Sequence, residues 1–396
     1  LAVLLEIFHD QGDGLNSISE ADSEAFLLVC GDTQAKVWGL GAAERLRRMA
    51  AASGLSMVGA IRENYLPLII ANAAIAFDPA WLRFIIGKPG HVVTLDGRPV
   101  IAHIPSGEIR QAEAVASAIA DDANPFDCSG LKELNVVDSL EIYSSELRKK
   151  ERPFMMAFTP ENAGAIERAS YYGAYKGVTD ILTKYLWPEL AFHLTRFAAW
   201  LRLSPNSVTA VGAVLCIAAT FAFFDGRYWL GLFLGFVFTV LDTVDGKLAR
   251  CTITSSWWGH VLDHGIDLVH PPFWWWAWGA GLSAYGKPIE QNLLLWILAV
   301  IVTGYVLQRI VEGVFIRYHG MHIHVWRPVD STFRLVTARR NPNMAILFVS
   351  MIFARPDLGL YAIAFWTVAS LLFHTVRLAQ AFALKFSGKH IVSWLI

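Results

Sequence analysis

Four aspartates lie in the stretch DTVDGKLARCTITSSWWGHVLDHGID, at positions 242, 245, 263 and 267, inside or beside segments otherwise apolar enough to cross a membrane. One Asp at the centre of a spanning helix costs roughly 2.5–3.5 kcal/mol, and four would cost about 10–14 if additive. Such a concentration of charge needs compensation. Asp242 and Asp245 are three residues apart and Asp263 and Asp267 four apart, so each pair lies on one face of its own helix. Two such faces opposed make a box of four carboxylates. An all-oxygen box suits hard divalent cations such as Mg²⁺, Mn²⁺ or Ca²⁺, and two-metal sites of this kind hold phosphates and activate oxygen nucleophiles. The chemistry expected is phosphoryl transfer. The same charges would also serve a proton or sodium pathway through a transporter with an acidic intramembrane cavity.

The elements that must carry these residues follow from hydropathy. Windows long enough to cross ~30 Å of hydrocarbon run from Ser207 to Phe224, Tyr228 to Ala249, Trp257 to Leu282, Leu293 to Ile316 and Leu358 to Ala383, with a shorter one from Asn343 to Ala354. The fold class expected is an α-helical integral membrane protein of six transmembrane helices, preceded by an interfacial amphipathic helix and a soluble α/β domain. That amphipathic helix is read in KYLWPELAFHLTRFAAWLRL, Lys184 to Leu203, from its helical spacing of apolar residues. The Ser204-Pro205-Asn206-Ser207-Val208-Thr209 segment after it is a helix start. Residues 309 to 340 hold six arginines, against one basic residue in each of the turns at Asp225 to Arg227 and Tyr285 to Gln291. The arginine-rich side, which also carries Lys247, Arg250 and the carboxylates, is therefore expected to be cytoplasmic.

Composition agrees with a membrane enzyme carrying a soluble part: 55% hydrophobic, 13% aromatic, and a formal charge of only −1 that suggests no nucleic-acid partner. Boundaries are placed at 1–150 for the α/β domain, 151–203 for a linker with the juxtamembrane helix, and 204–396 for the membrane domain. Leu1 to Phe8 has no basic n-region, so the first domain is expected to stay cytoplasmic. Cys30, Cys128, Cys216 and Cys251 lack CxxC spacing and read as reduced packing residues. The tryptophans at 274, 275, 276 and 278 are expected to form an aromatic belt facing lipid. His319, His322 and His324 are expected to contact solvent or headgroups rather than zinc.

The pattern Asp242-x-x-Asp245-Gly246-x-x-Ala249-Arg250, eight residues, then Gly259-x-x-x-Asp263-x-x-x-Asp267 resembles the signature of the CDP-alcohol phosphotransferase family at every fixed position. The resemblance implies transfer of a phospho-alcohol or phosphatidyl group from a CDP-linked alcohol to an acceptor hydroxyl, with release of CMP, in phospholipid biosynthesis. It implies that Asp242, Asp245, Asp263 and Asp267 surround two metal ions, Mg²⁺ or Mn²⁺, with Ca²⁺ bound but inhibitory. Asp267, with Asp263 beside it, is the catalytic candidate, acting as general base for the acceptor's proton. Gly246 and Gly259 would let the nucleotide approach the helix backbone; Ala249 would keep that wall flat, and Arg250 would bind a phosphate. Asn206 and Thr209 would border the nucleotide or cap the helix. Arg339 and Arg340 would bind a phosphorylated acceptor, or anionic headgroups. A homodimer in a bacterial or archaeal cell membrane is implied as well, and glycines such as Gly304 suit helix pairing.

In the first domain, Phe26 to Gly31 reads as a buried strand, Gly39 to Gly54 as a loop entering a helix, and Met57 to Ile61, Leu66 to Ile70 and His91 to Leu95 as further strands. The order resembles sugar-phosphate nucleotidyltransferases, with Lys36 and Glu44-Arg45 at matching places. Only Asp32-Thr33-Gln34-Ala35 separates Gly31 from Lys36, so the glycine loop that would cradle a triphosphate is absent. Alanine also stands where a metal-binding Asp would follow a strand. The domain is expected to be catalytically silent. Fusions of inositol-phosphate cytidylyltransferase with di-inositol-phosphate-phosphate synthase have this arrangement, which leaves a bifunctional enzyme as an alternative. CDP-diacylglycerol or CDP-inositol are the donors expected, with a polyol or polyol phosphate as acceptor.

Overall fold

The computed structural model describes residues 25–65, 67–122, 127, 130–135, 141–255 and 257–396, except for the side chains at 258 and 260–264. Leu1 to Phe8, Leu66, Cys128 and the side chain of Asp263 lie outside the described residues.

The first half begins with β1 (Phe26–Cys30), a hairpin of β2 (Lys36–Val37) and β3 (Leu40–Gly41), and α1 (Ala42–Ala52). β4 (Ser56–Val58), β5 (Leu68–Asn72), β6 (Ile75–Phe77), α2 (Pro79–Ile86), β7 (His91–Leu95), β8 (Arg98–Ile104) and α3 (Ile109–Ala120) follow. Four short strands, β9 (Lys132–Asn135), β10 (Ile142–Ser144), β11 (Lys149–Glu151) and β12 (Met155–Ala157), complete the domain. Six strands form one mixed sheet in the order β4-β1-β5-β8-β7-β9. β1 runs parallel to β4 and β5, and β8 runs antiparallel to β5 and β7. The continuous apolar run of β5, LIIAN, is buried throughout, as a central strand covered on both faces requires. Strand alternation sends Leu28, Leu68 and Ile70 against Val115 and Ile119 of α3, while Leu27, Ile69 and Ala71 join the opposite core.

That opposite core does not stop at the domain boundary. It runs on through the linker helices α4 (Ala163–Gly173) and α5 (Pro188–Trp200) to Val208, Val240, Val244, Leu248 and Cys251 of the membrane half. Polar contacts fasten the same seam. The Trp38 backbone N–H donates to Glu167 Oε1 at 3.0 Å, and Trp187 Nε1 donates to Thr243 Oγ1 at 3.1 Å. Lys247, 4% exposed, donates to the Ala174 carbonyl at 2.7 Å and lies 3.4 Å from the centre of the Tyr175 ring. The expected amphipathic helix is divided: a π-helical turn, Leu182–Leu186, precedes α5, because Pro188 lacks the N–H that continuation would use. α5 buries Ala191, Phe192, Thr195, Ala198 and Ala199 and exposes Leu190, Phe197 and Trp200, which suits a helix lying in an interface.

The second half contains α6 (Pro205–Phe224), α7 (Tyr228–Cys251), α8 (Trp257–Gly281), α9 (Gln291–His319), the short α10 (Pro328–Arg334), α11 (Arg340–Ile352) and α12 (Pro356–Phe386). Among the described residues four helices, α6, α7, α9 and α12, are long and apolar enough to cross a membrane. α11 has only 13 residues, about 20 Å of rise, short of a full span. α6 opens at Ser204, whose hydroxyl accepts from the Ser207 N–H at 3.1 Å, with Pro205 at the first helical position.

Two expectations about side chains change here. Trp274, Trp275 and Trp278 are 3–4% exposed, and only Trp276 of that cluster faces outward. The indoles of Trp274 and Trp278 donate to the Cys216 and Pro356 carbonyls at 3.1 and 3.0 Å. Interior partners for the N–H groups turn the presumed belt into core. Gly304 packs within the chain, where an added Cβ would meet Thr367 Cγ2 at 2.6 Å, so it offers nothing to a second copy. Among the described cysteines, Cys216 and Cys251 are buried and Cys30 is half-buried.

The corner away from the carboxylates is pinned by Gly226 and Gly281. A Cβ on Gly281 would fall 1.9 Å from the Phe223 carbonyl oxygen, and Gly226 has φ +72°. Backbone cannot yield as a flexible side chain can. Gly281→Ala should therefore destabilise the protein by about 3 kcal/mol, the upper part of the overpacking range. Thermal unfolding in detergent measures this; an unchanged midpoint would contradict the packing described.

Candidate active site

α7 presents Asp242 and Asp245 about two turns before its end, and α8 brings Asp267 opposite them. Helical period places Asp242 and Asp245 on one face, and Gly212 of α6 fixes how closely that face is approached, with Phe238 Cδ2 3.3 Å from where its Cβ would be. Asp245 is 4% exposed and accepts from Thr209 Oγ1 at 2.5 Å and from the Gly246 N–H at 2.6 Å. Between the two helices lies the guanidinium of Arg340, the first residue of α11. Its Nη2 donates to Asp242 Oδ2 at 2.7 Å and its Nη1 to Asp267 Oδ1 at 2.5 Å. Phe238 covers it, with the ring centre 5.0 Å from Cζ. Arg340 Nε donates to Asn341 Oδ1 at 3.0 Å, and Asn341 Nδ2 donates to Asp180 Oδ1 at 3.1 Å and Thr183 Oγ1 at 3.2 Å. Burial pushes the Asp180 carboxyl up, but Arg334 and hydrogen bonds from Thr183 and Asn341 outweigh it and hold the group below its usual value.

A small cavity beside this cluster is lined by Thr209, Gly212, Phe238, Asp242, Asp245 and Ile266. Its volume of ≈ 10 Å³ is about one water's worth. The residues fit a divalent ion on two grounds. The donors are carboxylate oxygens from two helices, the preference of a hard ion, and the protein already places a cation between Asp242 and Asp267.

The other motif residues are arranged around this centre. Arg250 curls back so that Nη1 donates to the Gly246 carbonyl at 3.3 Å, with Glu146 of the α/β domain 3.7 Å from its Nε. A Cβ on Gly246 would meet that guanidinium at 3.6 Å. Ala249 and Gly259 are half-buried, and Asn206 is exposed at the start of α6. Thr209 serves Asp245 rather than the helix end, since Ser204 is the cap.

Residues 202–372 match the CDP-alcohol phosphatidyltransferase family. The chain is similar to cholinephosphotransferase 1 of Homo sapiens, 33% identical over 112 residues, which is 25% of this chain and 27% of that protein. The Gallus gallus cholinephosphotransferase 1 is 30% identical over 126 residues, 29% of this chain and 36% of that protein. A phosphatidylinositol phosphate synthase of Streptomyces avermitilis is 36% identical over 93 residues, 22% of this chain and 38% of that protein. The chain thus spans well under half the length of these relatives.

The two arginines read as an acceptor pair do different things. Arg340 joins the carboxylates, whereas Arg339 turns away and donates to Glu312 Oε2 at 2.6 Å. His324, expected at solvent or headgroups, is 2% exposed with Nε2 3.3 Å from both Arg339 Nη2 and Glu312 Oε1. The turn Ile323–Val325 that carries it is folded under α10 and α12, which removes it from the interface. In the α/β domain, Arg45 is buried and donates to the Phe77 carbonyl at 3.0 Å, a structural use, and Glu44 pairs with Arg47 and Arg48. Lys36 is exposed.

Sequence reasoning missed Asp180, Thr183 and Asn341. Asn341 is adjacent to Arg340 and so within reach of inspection, but Asp180 sits 161 residues away and no local spacing announces the contact.

Thr209→Val tests the support of Asp245. Removing a hydroxyl that orients a ligating carboxylate commonly costs 10–100-fold in metal affinity or activity. A loss of about that size in apparent Mn²⁺ affinity is expected, read by metal titration against thermal stability; an unchanged curve would separate Thr209 from the site.

Proposed function

We propose that this protein is a membrane-embedded, metal-dependent CDP-alcohol phosphotransferase, moving a phospho-alcohol or phosphatidyl group from a CDP-linked donor to an acceptor hydroxyl in phospholipid synthesis. The observation that carries the reading is that Asp242 and Asp245 of one apolar helix line a small cavity while Asp267 of the next is joined to Asp242 through the guanidinium of Arg340. The family match to 202–372 supports it.

Divalent ions bound by Asp242, Asp245, Asp263 and Asp267 would neutralise the donor's diphosphate and make the acceptor hydroxyl more acidic. The acceptor oxygen attacks the β-phosphorus, the bond from that phosphorus to the bridging oxygen breaks, and CMP leaves with the bond's electron pair. Asp267, the most exposed described member of the box with 45% of its side chain accessible, takes the acceptor's proton. Arg250 beside Gly246 meets the donor's phosphates, and Gly246, Ala249 and Gly259 keep that wall open to nucleotide. Asn206 borders it from α6.

Boundaries near 150 and 203 separate the α/β and membrane parts, and α8 and α11 join α6, α7, α9 and α12 as a six-helix membrane domain working as a dimer. The arginine-rich end faces the cytoplasm, where a soluble acceptor is available. The α/β domain is nucleotidyltransferase-like without activity of its own. Donor preference is for CDP-diacylglycerol over CDP-inositol.

The test is CMP release by purified protein in liposomes with Mg²⁺ or Mn²⁺, each donor being offered with a panel of polyols and polyol phosphates. Metal-dependent CMP, lost in Asp267→Asn, is expected. CTP consumption with a polyol phosphate would favour the bifunctional enzyme, and solute flux without CMP would favour a transporter.

A further inference from the structure

The α/β domain reaches the motif helix through one hairpin. β10 and β11 are joined by a turn in which Ser144 Oγ accepts from the Leu147 N–H at 3.1 Å. The seat of this hairpin is the C-terminal end of α4, where the last carbonyls have no partner within the helix. Lys149 of β11 donates to the Gly173 and Tyr172 carbonyls at 2.6 and 3.3 Å, and Lys247 of α7 donates to the Ala174 carbonyl at 2.7 Å. One helix end thus takes a lysine from each half of the chain, which also suits its negative dipole. Gly177 fixes the fit: its N–H donates to the Leu147 carbonyl at 2.8 Å, and a Cβ there would lie 2.7 Å from the Arg148 carbonyl oxygen. Arg48 of α1 adds a further tie, donating to the Thr252 carbonyl at the end of α7 at 2.7 Å.

With hairpin and helix fastened to the same point, the turn presents Glu146 to Arg250, with Oε1 3.7 Å from Nε. Arg250 is the residue assigned to the donor's phosphates, and here it is engaged from two sides, by Glu146 and by the Gly246 carbonyl at 3.3 Å. Packing does not hold Glu146 in place, since 72% of its side chain is accessible. An anion beside that guanidinium takes the position of a diphosphate and repels one.

We propose that Glu146 is a donor gate: it competes with the diphosphate of the CDP-linked donor for Arg250, so that donor affinity is set in part by the α/β domain. This rests on the phosphotransfer reading for the ligand of Arg250. Glu146 touches no reacting atom; it is a positioning residue that acts through Arg250. An exposed pair holds its arginine for only part of the time, and the held fraction lowers apparent affinity in proportion, here by about two- to fivefold. The α/β domain thereby tunes the membrane site without nucleotide chemistry of its own.

Isothermal titration of the full chain in detergent with CDP and Mn²⁺ tests the gate apart from turnover. Glu146→Gln is expected to bind CDP about two- to fivefold more tightly than wild type, and the gain should shrink at about 1 M salt, where charges are screened beyond about 3 Å. Glu141→Gln makes the same change of charge just before β10, where Glu141 pairs with Lys150 at 3.7 Å, and should bind as wild type does. Arg250→Gln should bind more weakly, and adding Glu146→Gln to it should bring no gain. In liposomes the KM of whichever donor releases CMP should fall by the same factor in Glu146→Gln, with kcat and the acceptor KM unchanged, a split that loss of a merely structural contact would not produce. Equal CDP affinity in wild type and Glu146→Gln, or a gain that persists without Arg250, would overturn the gate and leave the transfer reaction standing. The expected CDP affinities without CMP release from any donor would count only against the transfer reaction, and CDP binding by none of the proteins would overturn both.

Discussion

Asp242→Asn is expected to reduce metal-dependent CMP release by about 10²–10³-fold, the order seen when one electrostatic contact to a reacting centre is removed. The substitution keeps shape and volume but removes the charge that Arg340 now meets at 2.7 Å. Asp242 lies deep in α7 with 16% of its side chain accessible, so water cannot replace the lost ligand. Turnover should fall through kcat more than through KM, as when an interaction made only in the transition state is removed. Steady-state CMP release with both substrates varied separates the two, and a variant within tenfold of wild type would remove Asp242 from the chemistry.

Arg340→Gln is expected to act in two opposite ways. In the absence of divalent metal it leaves Asp242 without its partner, and breaking a buried pair costs about 3–5 kcal/mol. Because 45% of the Asp267 side chain is accessible, that half of the contact contributes little, and the loss should be near the lower figure. With metal, the same variant should gain, since no guanidinium competes for Asp242 and Asp267. Thermal unfolding in chelator and in Mn²⁺ reads both effects: a lower midpoint than wild type in chelator, and a larger rise on adding Mn²⁺. Parallel curves would mean that Arg340 and the cation do not share these carboxylates.

Much of this arrangement was legible in the sequence because it is local. The i, i+3 spacing of Asp242 and Asp245 fixes their common face, and the apolar windows located the helices around them, with α9 and α12 extending two or three residues beyond their expected ends. What was not legible depends on packing between distant segments. Tryptophans 274, 275 and 278 look identical, by hydropathy, to a belt, and only their indole partners on Cys216 and Pro356 distinguish core from lipid contact. Arg339 and Arg340 are neighbours in sequence yet point to different sites, because residues 339 and 340 enter α11 in different backbone conformations and adjacent positions on a helix face apart. His324 was misplaced for a related reason: its turn folds inward beneath α10, which no periodicity in HGMHIHVW reveals, while His319 and His322 stay partly exposed. The four strands read in the α/β domain lie within a few residues of β1, β4, β5 and β7, whereas β8, which pairs with both β5 and β7, was not read, and the seam that unites this domain with α7 through Lys247, Tyr175 and Trp187 rests on contacts across more than 50 residues of chain.

The central claim is that the β-phosphorus of a CDP-linked alcohol passes to an acceptor hydroxyl at the Asp242–Asp267 centre. Single-turnover reaction of donor labelled at the β-phosphorus, in liposomes with Mn²⁺, measures it most directly. The account predicts that the label leaves with the new phosphodiester, that CMP is unlabelled, and that chelator stops the transfer reversibly. Label recovered in the nucleotide, or transfer that persists in chelator, would contradict it.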